Sequence, residues 1–240
     1  MISWKPALAV ILSLIAKSTF AQYPIDNILL EGDGTSWYDH QIGLQHTLLQ
    51  HGELAVLTRK SPNSHAYYGK SAWTDMHITY RNQAFYNVSA LYNIEEDALI
   101  IVNNLGPSFT AYPIKLQKEH VERFEIGDDS FVYIDEQVSW HAKGFYKAIY
   151  EGEEVSLLSK VFKRLDLKHR VLTYKENNHY FLKRDGQFYR LKRLSGLLKL
   201  YPNHKKEIRQ YKRELALGKI DKPASEAKLS RLIEFCENLK

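Results

Sequence analysis

The sequence predicts an α+β protein with a mainly antiparallel β-sheet, arranged as a meander, a curved sheet or a sandwich, and a C-terminal helical hairpin. Three observations support this prediction. Apolar residues recur at every second position from Phe85 onward, tight-turn signals separate these short runs, and the period becomes helical after residue 193. We therefore predict a signal peptide at 1–21, a β-rich domain at 22–192 and a helical region packed on the sheet at 193–240.

Residues 1–21 are typical of a secretory signal peptide. Lys5 provides the positive start, and the apolar run Ala7–Ala16 is too short to span a bilayer. Thr19-Phe20-Ala21 carries small residues at both ends, as a cleavage site requires. The alternative is a buried N-terminal helix. The single cysteine, Cys236, excludes an intramolecular disulfide, whereas eukaryotic secreted domains more often carry several cysteines. We therefore expect an exported bacterial envelope protein, periplasmic or extracellular. No transmembrane segment is expected after cleavage.

The region between the signal peptide and Phe85 has the weakest periodicity. A helix is predicted over 37–50, a strand over 53–59 and two strands over 66–80. The aromatic residues of 66–80 could form core or a ligand platform, and their density favours core.

From Phe85 the alternation predicts a series of short strands. Five consecutive even positions are apolar or aromatic: Tyr86, Val88, Ala90, Tyr92 and Ile94. A turn is predicted at 95–97, and the apolar run 98–102 predicts a strand buried on both faces. Further strands are predicted at 131–134, 144–150, 155–161, 171–176, 179–184 and 187–192.

Two dipeptides between these runs predict turns. Asp185-Gly186 suits a type I′ hairpin, because both residues tolerate positive φ. Asn177-Asn178 predicts a second turn, between the strands at 171–176 and 179–184. Short strands joined in this way indicate an antiparallel meander and not βαβ units.

Two amphipathic helices are predicted after a short helical turn at 196–200. The first runs over 203–217 with Gly218 as its C′ residue, and the second begins at Pro223. The apolar stripe of the second helix consists of Leu229, Leu232, Ile233, Cys236 and Leu239. Cys236 lies within this stripe, so we interpret it as a buried apolar residue and not as a nucleophile.

Charge is segregated along the chain. Residues 22–158 carry 9 Lys and Arg against 19 Asp and Glu, whereas residues 159–240 carry 22 against 9. On the helix at 203–217, five cations fall on one stripe and form a predicted interaction surface: Lys205, Lys206, Arg209, Lys212 and Arg213. This stripe could dock on the acidic half, bind an external anionic partner, or be an ordinary solvated face.

The sequence contains no motif that indicates a reaction. His40, His46 and His51 do not share a helix face and lack further metal ligands, so neither a metal nor another cofactor is predicted. No nucleophile elbow, phosphate loop or dinucleotide fingerprint is present. Enzymatic activity therefore stays open, with a non-enzymatic role favoured and a periplasmic hydrolase as the alternative.

Aromatic and basic residues interleave between 180 and 193, a pattern that nucleic-acid-binding proteins also show. The predicted export argues against nucleic acid. An acidic envelope protein, an anionic lipid or a glycan is the partner class expected for an exported basic surface.

A set of short motifs covers residues 85–240. They include Leu91-Tyr92-Asn93-Ile94, Gly144-Phe145-Tyr146, Tyr150-Glu151-Gly152, His179-Tyr180-Phe181-Leu182 and the segment 197–211. With these motifs the chain resembles exported proteins of unknown function that are widespread in Bacteroidota. The resemblance implies export and a β-rich body, and it implies no activity for any residue.

The expected function is a non-enzymatic binding or structural role in the envelope. A second form of this hypothesis is a carrier whose curved sheet holds an apolar ligand, with the helices as a lid. A dry apolar cleft would favour the carrier, and a concave pocket with converging polar groups would favour the hydrolase.

Overall fold

The computed structural model describes residues 47–57, 64–103, 112–136, 143–168, 171–220 and 225–239. The predicted signal peptide, the predicted helix up to residue 46, and His40 and His46 lie outside these ranges.

One antiparallel sheet of eleven strands forms the body of the protein, in the order β1-β5-β4-β3-β2-β6-β7-β8-β9-β10-β11. The strands are β1 (Gly52–Leu54), β2 (Thr74–Tyr80), β3 (Gln83–Asn93), β4 (Ala98–Asn103), β5 (Tyr112–Leu116), β6 (Val121–Ile126), β7 (Asp129–Ile134), β8 (Gly144–Glu151), β9 (Val155–Lys168), β10 (Val171–Arg184) and β11 (Gln187–Leu191). The helices are α1 (Leu194–Leu200), α2 (Lys205–Glu214) and α3 (Glu226–Glu237). The predicted fold class is confirmed.

The sheet is strongly curved but not closed. β5 ends at Leu116 and β6 begins at Val121, yet three strands separate β5 from β6 in the sheet. Strands lie about 4.8 Å apart, so a flat sheet would place β5 about 19 Å from β6, whereas the short connection reaches about 17 Å. The curvature also brings the backbone N–H of Lys163 in β9 to the carbonyl of Ile94, after β3.

An aromatic core fills the curved half of the sheet. Tyr92, Phe124, Phe131 and Phe145 are buried, and their ring centroids lie 5.0 to 5.7 Å apart. Edge-to-face and stacked contacts at these distances stabilise aromatic clusters beyond simple burial. Met76, Ile78 and Tyr80 of β2 join this core, so the aromatic region at 66–80 is mainly core as predicted.

A second apolar core lies between the sheet and the C-terminal helices. It contains Leu157 of β9, Leu182 of β10, Ile208 of α2, and Leu232 and Cys236 of α3. The rings of Tyr211 and Phe235 stack at 4.3 Å and join α2 to α3. Cys236 is buried, as predicted. Burial raises the pKa of its thiol to about 12, so the thiol is protonated at neutral pH.

The two cores share one face of the sheet, with a polar layer between them. The register aligns Phe131, Lys147, Ser159 and Tyr180 across four strands, and directly paired residues share a face. Lys147 at the centre of this row separates the aromatic core from the helical core.

The turn predicted at Asn177-Asn178 is wrong. β10 continues through both residues, which pair with Phe162 and Val161 of β9. Fourteen consecutive pairings with β9 outweigh the local turn preference of two asparagines. The hairpin at Asp185-Gly186 is confirmed, with φ values of 50° and 71°.

Other boundaries also differ from the sequence predictions. β1 ends at Leu54, within the strand predicted at 53–59. The region 66–80 contains one strand and an isolated bridge at Tyr67 instead of two strands. β9 extends beyond the predicted 155–161 to Lys168 because β10 pairs along its whole length.

The first long helix ends earlier than predicted. α2 ends at Glu214, and Ala216, with φ 46°, takes the left-handed position predicted for Gly218. The backbone N–H groups of Leu215 and Leu217 donate to carbonyls of α2 and cap its C-terminal end. The helix therefore ends before Gly218. Within the described ranges, none of the helices is long and apolar enough to cross a bilayer.

Candidate anion-binding site

A groove rich in cations runs from the end of β11 toward α2. Its first part is a cavity of about 610 Å³. It is lined by Glu176, Asn177, Asn178, His179, Tyr180, Arg190, Leu191, Lys192 and Arg193. A second cavity of about 310 Å³ is lined by Lys192, Arg193, Leu194, Lys212, Gly218, Lys219 and Ile220. The two cavities share Lys192 and Arg193, and we call them together the basic groove.

The groove exists because β11 is much shorter than β10. β11 ends at Leu191, opposite Tyr180, and the chain then turns into α1. β10 extends beyond this point toward Val171. The residues after β11 therefore leave a notch along the side of β10, and Lys192 and Arg193 lie at the corner of this notch.

Positive charge dominates the groove. Arg190, Lys192, Arg193, Lys212 and Lys219 line it, against one carboxylate, Glu176. Within the part of the chain that the structure describes, Lys192, Arg193, Lys212 and Lys219 form no ion pair with a carboxylate. Glu176 lies 3.8 Å from the ammonium of Lys163.

His179 lies among these cations in the lining of the larger cavity. Burial, and then the positive charges of Arg190, Arg164 and Lys192, lower the pKa of His179 to about 4. The ring packs on Phe162 with centroids 4.9 Å apart. His179 is therefore neutral at neutral pH, and the groove disfavours any further positive charge.

The half-buried Asp97 carboxylate forms a second polar cluster, with partners inside the protein. The Asp97 carboxylate accepts hydrogen bonds from the Tyr92 hydroxyl at 2.8 Å and the Phe145 N–H at 3.2 Å. It also pairs with Lys160 at 2.9 Å, and Lys160 donates to the Phe145 carbonyl at 2.8 Å. A Cβ added to Gly144 would lie 1.8 Å from the carboxylate, so the backbone of β8 closes the cluster on that side. Its polar atoms have partners within the protein, and Asp97 also lines a cavity of about 260 Å³.

The Lys147 cluster likewise has its ion-pair and hydrogen-bond partners within the protein. The Lys147 ammonium lies 2.7 Å from Asp129 and 2.8 Å from Glu226 of α3. The Tyr68 hydroxyl donates to Asp129 at 2.6 Å, and the Tyr180 hydroxyl donates to Glu226 at 3.0 Å. Burial alone would lower the pKa of Lys147, but the hydrogen bonds to Asp129 and Glu226 outweigh it and raise this pKa. The cluster joins the sheet to α3.

The predicted basic stripe of α2 is divided by the structure. Lys205, Lys206, Arg209 and Arg213 are exposed, whereas Lys212 is half-buried and lines the groove. Across the described ranges, none of the five forms an ion pair with a carboxylate of the acidic half. The stripe stays a prediction as an interaction surface, and Lys212 is the member that the fold places beside other cations.

Sequence reasoning did not assign Arg190, Lys192, Arg193 and Lys219 to a site. The interleaved aromatic and basic residues between 180 and 193 were the available signal. That pattern covers the end of β11 but does not show the notch, because the notch depends on how many residues of β10 extend beyond β11. The described residues contain no group of three His, Cys, Asp or Glu side chains that could hold a metal ion.

Comparisons of the chain with family models, with curated proteins and with solved structures find no match. The resemblance to exported Bacteroidota proteins therefore stays a prediction, and the groove's own chemistry is the basis for assigning a function.

Proposed function

We propose that this chain is a non-enzymatic, exported binding protein that holds an anionic ligand in the basic groove. The observation that carries the proposal is the group of cations at the end of β11 and beside α2, of which Lys192, Arg193, Lys212 and Lys219 form no ion pair with a carboxylate within the described ranges. Like charges placed together cost stability unless an anion neutralises them. An anionic ligand would supply the missing charge.

The chemistry of the lining suits a carboxylate, phosphate or sulfate. Arg190 and Arg193 carry planar guanidinium groups that can donate two parallel hydrogen bonds to such an anion. Asn177 and Asn178 add neutral hydrogen-bonding groups beside them. A cavity of about 610 Å³ is within the size range of ligand sites in proteins.

The alternative functions have weaker support. Aromatic rings occupy the inside of the curved sheet, so an apolar ligand would have to displace Tyr92, Phe124 or Phe131. A hydrolase needs a nucleophile beside a base, and the groove lining contains no serine, threonine or cysteine beside His179. Binding is therefore the better use of this groove.

The test is salt-dependent retention on immobilised heparin, used as a generic polyanion. The variant Lys192→Glu/Arg193→Glu reverses two groove charges. The control variant Lys70→Glu/Arg231→Glu makes the same change in net charge at two exposed residues outside the groove. We expect the groove variant to elute at clearly lower salt than the control.

Equal losses in the two variants would contradict the proposal, because retention would then depend on net charge alone. A third variant, Lys205→Glu/Lys206→Glu/Arg209→Glu, separates the α2 stripe from the groove. If this variant alone lost retention, the stripe would be the binding surface and the groove proposal would be wrong.

A further inference from the structure

β10 has an open edge beside the basic groove. All fourteen of its residues pair with β9, from Val171 opposite Lys168 to Arg184 opposite Val155. On its other side only Tyr180 to Arg184 pair with β11. Among the residues that the structure describes, no strand pairs with this side of β10 between Val171 and His179.

The register identifies the backbone groups that point into the groove. Arg184 and Gln187 flank a two-residue turn, so they exchange both hydrogen bonds, and every second residue of β10 then faces β11. Continuing this alternation past Tyr180 places the N–H and C=O groups of Asn178 and Glu176 toward the groove. The N–H of Tyr174, next in the series, donates to the Ser64 hydroxyl at 2.9 Å on that side, which confirms the direction.

The lining of the larger cavity shows that it surrounds this edge. Asn177 and His179 lie on one face of β10, whereas Glu176 and Asn178 lie on the other, and all four line the cavity. The side-chain oxygen Oδ1 of Asn178 is buried and has no donor in the described part of the chain. The cavity therefore has the position of a missing strand, in line with β11.

The two sides of this slot have different chemistry. The face of Asn177 and His179 also carries Arg190, which pairs with Phe181, and leads to Lys192. The opposite face carries Tyr180 and Leu191, both buried, together with Glu176. A strand in the slot would meet cations with one set of alternate side chains, and Glu176, Asn178, Tyr180 and Leu191 with the other.

We propose that the open edge of β10 binds an extended acidic segment of a partner protein, which adds as a strand antiparallel to β10 at Glu176 and Asn178. Acidic residues at every second position contact Arg190 and Lys192, and apolar residues between them pack beside Tyr180 and Leu191. This inference rests on the proposed function, since it assigns the anion of the same groove to peptide carboxylates. Strand addition of this kind combines backbone hydrogen bonds with alternating side-chain contacts.

The probe is a fluorescein-labelled acetyl-Glu-Val-Glu-Val-Glu amide, measured by fluorescence anisotropy with the intact protein. In the proposed pairing the valines lie opposite Glu176 and Asn178, so their N–H groups face β10. We expect methylation of both valine nitrogens to weaken binding at least tenfold. Methylation of two glutamate nitrogens, which face solvent, should change binding much less while keeping the same charge.

The protein side is tested with Asn178→Pro, which removes the N–H that faces the groove without removing a bond to β9. Asn178→Ala is its control, since it removes the same side chain and keeps the N–H. We expect the proline variant to bind the peptide at least tenfold more weakly than the alanine variant, with both variants folded by circular dichroism.

Three other results would overturn the inference. Equal binding of the two methylated peptides would mean that the groove recognises charge without strand pairing, and the proposed function would survive. Binding of heparin or phosphatidylglycerol vesicles without binding of the peptide would assign the groove to a glycan or a lipid. If neither the peptide, heparin nor the vesicles bound the protein even in low salt, both the strand inference and the proposed function would be contradicted.

Discussion

The lysines inside the sheet and the cations of the basic groove differ in what surrounds their charge. Lys147, Lys160 and Lys163 each have a protein oxygen atom within 2.9 Å of the ammonium. Lys192 and Arg193 have no carboxylate partner in the described ranges. Lysine therefore serves two purposes in this protein, because a buried charge requires a partner within the protein whereas a surface charge can be neutralised by an external ligand.

The two ends of the sheet also differ in how many partners their polar groups have within the protein. The aromatic half is closed by hydrogen bonds such as Tyr92 to Asp97, and burial together with that carboxylate raises the pKa of Tyr92 well above its ordinary value. At the β10–β11 end, no strand of the described residues pairs with the outer side of β10 beyond Tyr180, and Lys192, Arg193, Lys212 and Lys219 form no ion pair within these residues. We therefore expect substitutions in the first region to change stability and substitutions in the second to change binding.

The largest effect is expected at the Asp97 cluster. Asp97→Ala leaves Lys160 buried without its carboxylate, which should lower the free energy of unfolding by about 3–5 kcal/mol. Denaturant unfolding measures the loss. The control Asp97→Leu/Lys160→Met removes both charges and should lose clearly less, and a larger loss in the double variant would contradict the role assigned to the pair.

A smaller effect on the free energy of unfolding is expected at the turn between β10 and β11. Gly186→Val places a β-branched residue at φ 71°, although a Cβ there would meet no atom within 4 Å. The strain should lower the free energy of unfolding by about 1–2 kcal/mol. Asp185→Asn is the control, because asparagine also tolerates positive φ, and an unchanged unfolding curve for Gly186→Val would contradict the type I′ turn.

The stability of the protein should depend on pH through His179. The pKa of His179 is about 4 in the folded protein and 6.5 in an unfolded chain. The folded state therefore binds fewer protons between these values, so stability is lost as the pH falls from about 6.5 to 4. Urea unfolding of His179→Gln at several pH values should show a weaker loss over this window than the unsubstituted protein.

The smallest effect on stability is expected at the groove itself. Lys192→Met/Arg193→Met removes two cations that stabilise no ion pair in the described structure, so the free energy of unfolding should change by no more than about 0.5 kcal/mol. Thermal unfolding measures this change. A loss as large as that of Asp97→Ala would show that the groove cations are structural, and the contrast between the two regions would disappear.

The fold was largely predictable, since strand periodicity and turn chemistry are local signals. The alternation through Tyr86 and Ile94 and the Asp185-Gly186 turn are clear in the sequence alone. The turn predicted at Asn177-Asn178 failed because fourteen consecutive pairings between β9 and β10 outweigh the turn preference of two residues, and a short sequence window does not show these pairings. The same error hid the groove, because a turn at that position would have removed the edge of β10 that lines it.

The candidate site was predictable only in part, for a related reason. Lys212 belongs to a stripe that helical periodicity reveals. Its neighbours Lys192, Arg193 and Lys219 come from a strand end and from the segment after α2, so only the packed structure places them together. Segregation of charge along the chain indicated a basic surface without locating it.

The binding of carboxylates beside the groove cations can be followed through the pKa of His179, measured by NMR in low salt with and without the Glu-Val-Glu-Val-Glu peptide. His179→Gln assigns the signal among the ten histidines. We predict a pKa of about 4 in the free protein, and a higher value when bound carboxylates offset the charges of Arg190 and Lys192. A pKa near 6.5 in the free protein would contradict the burial and the cationic surroundings assigned to His179. A pKa that saturating peptide leaves unchanged would contradict the binding of carboxylates beside Arg190 and Lys192.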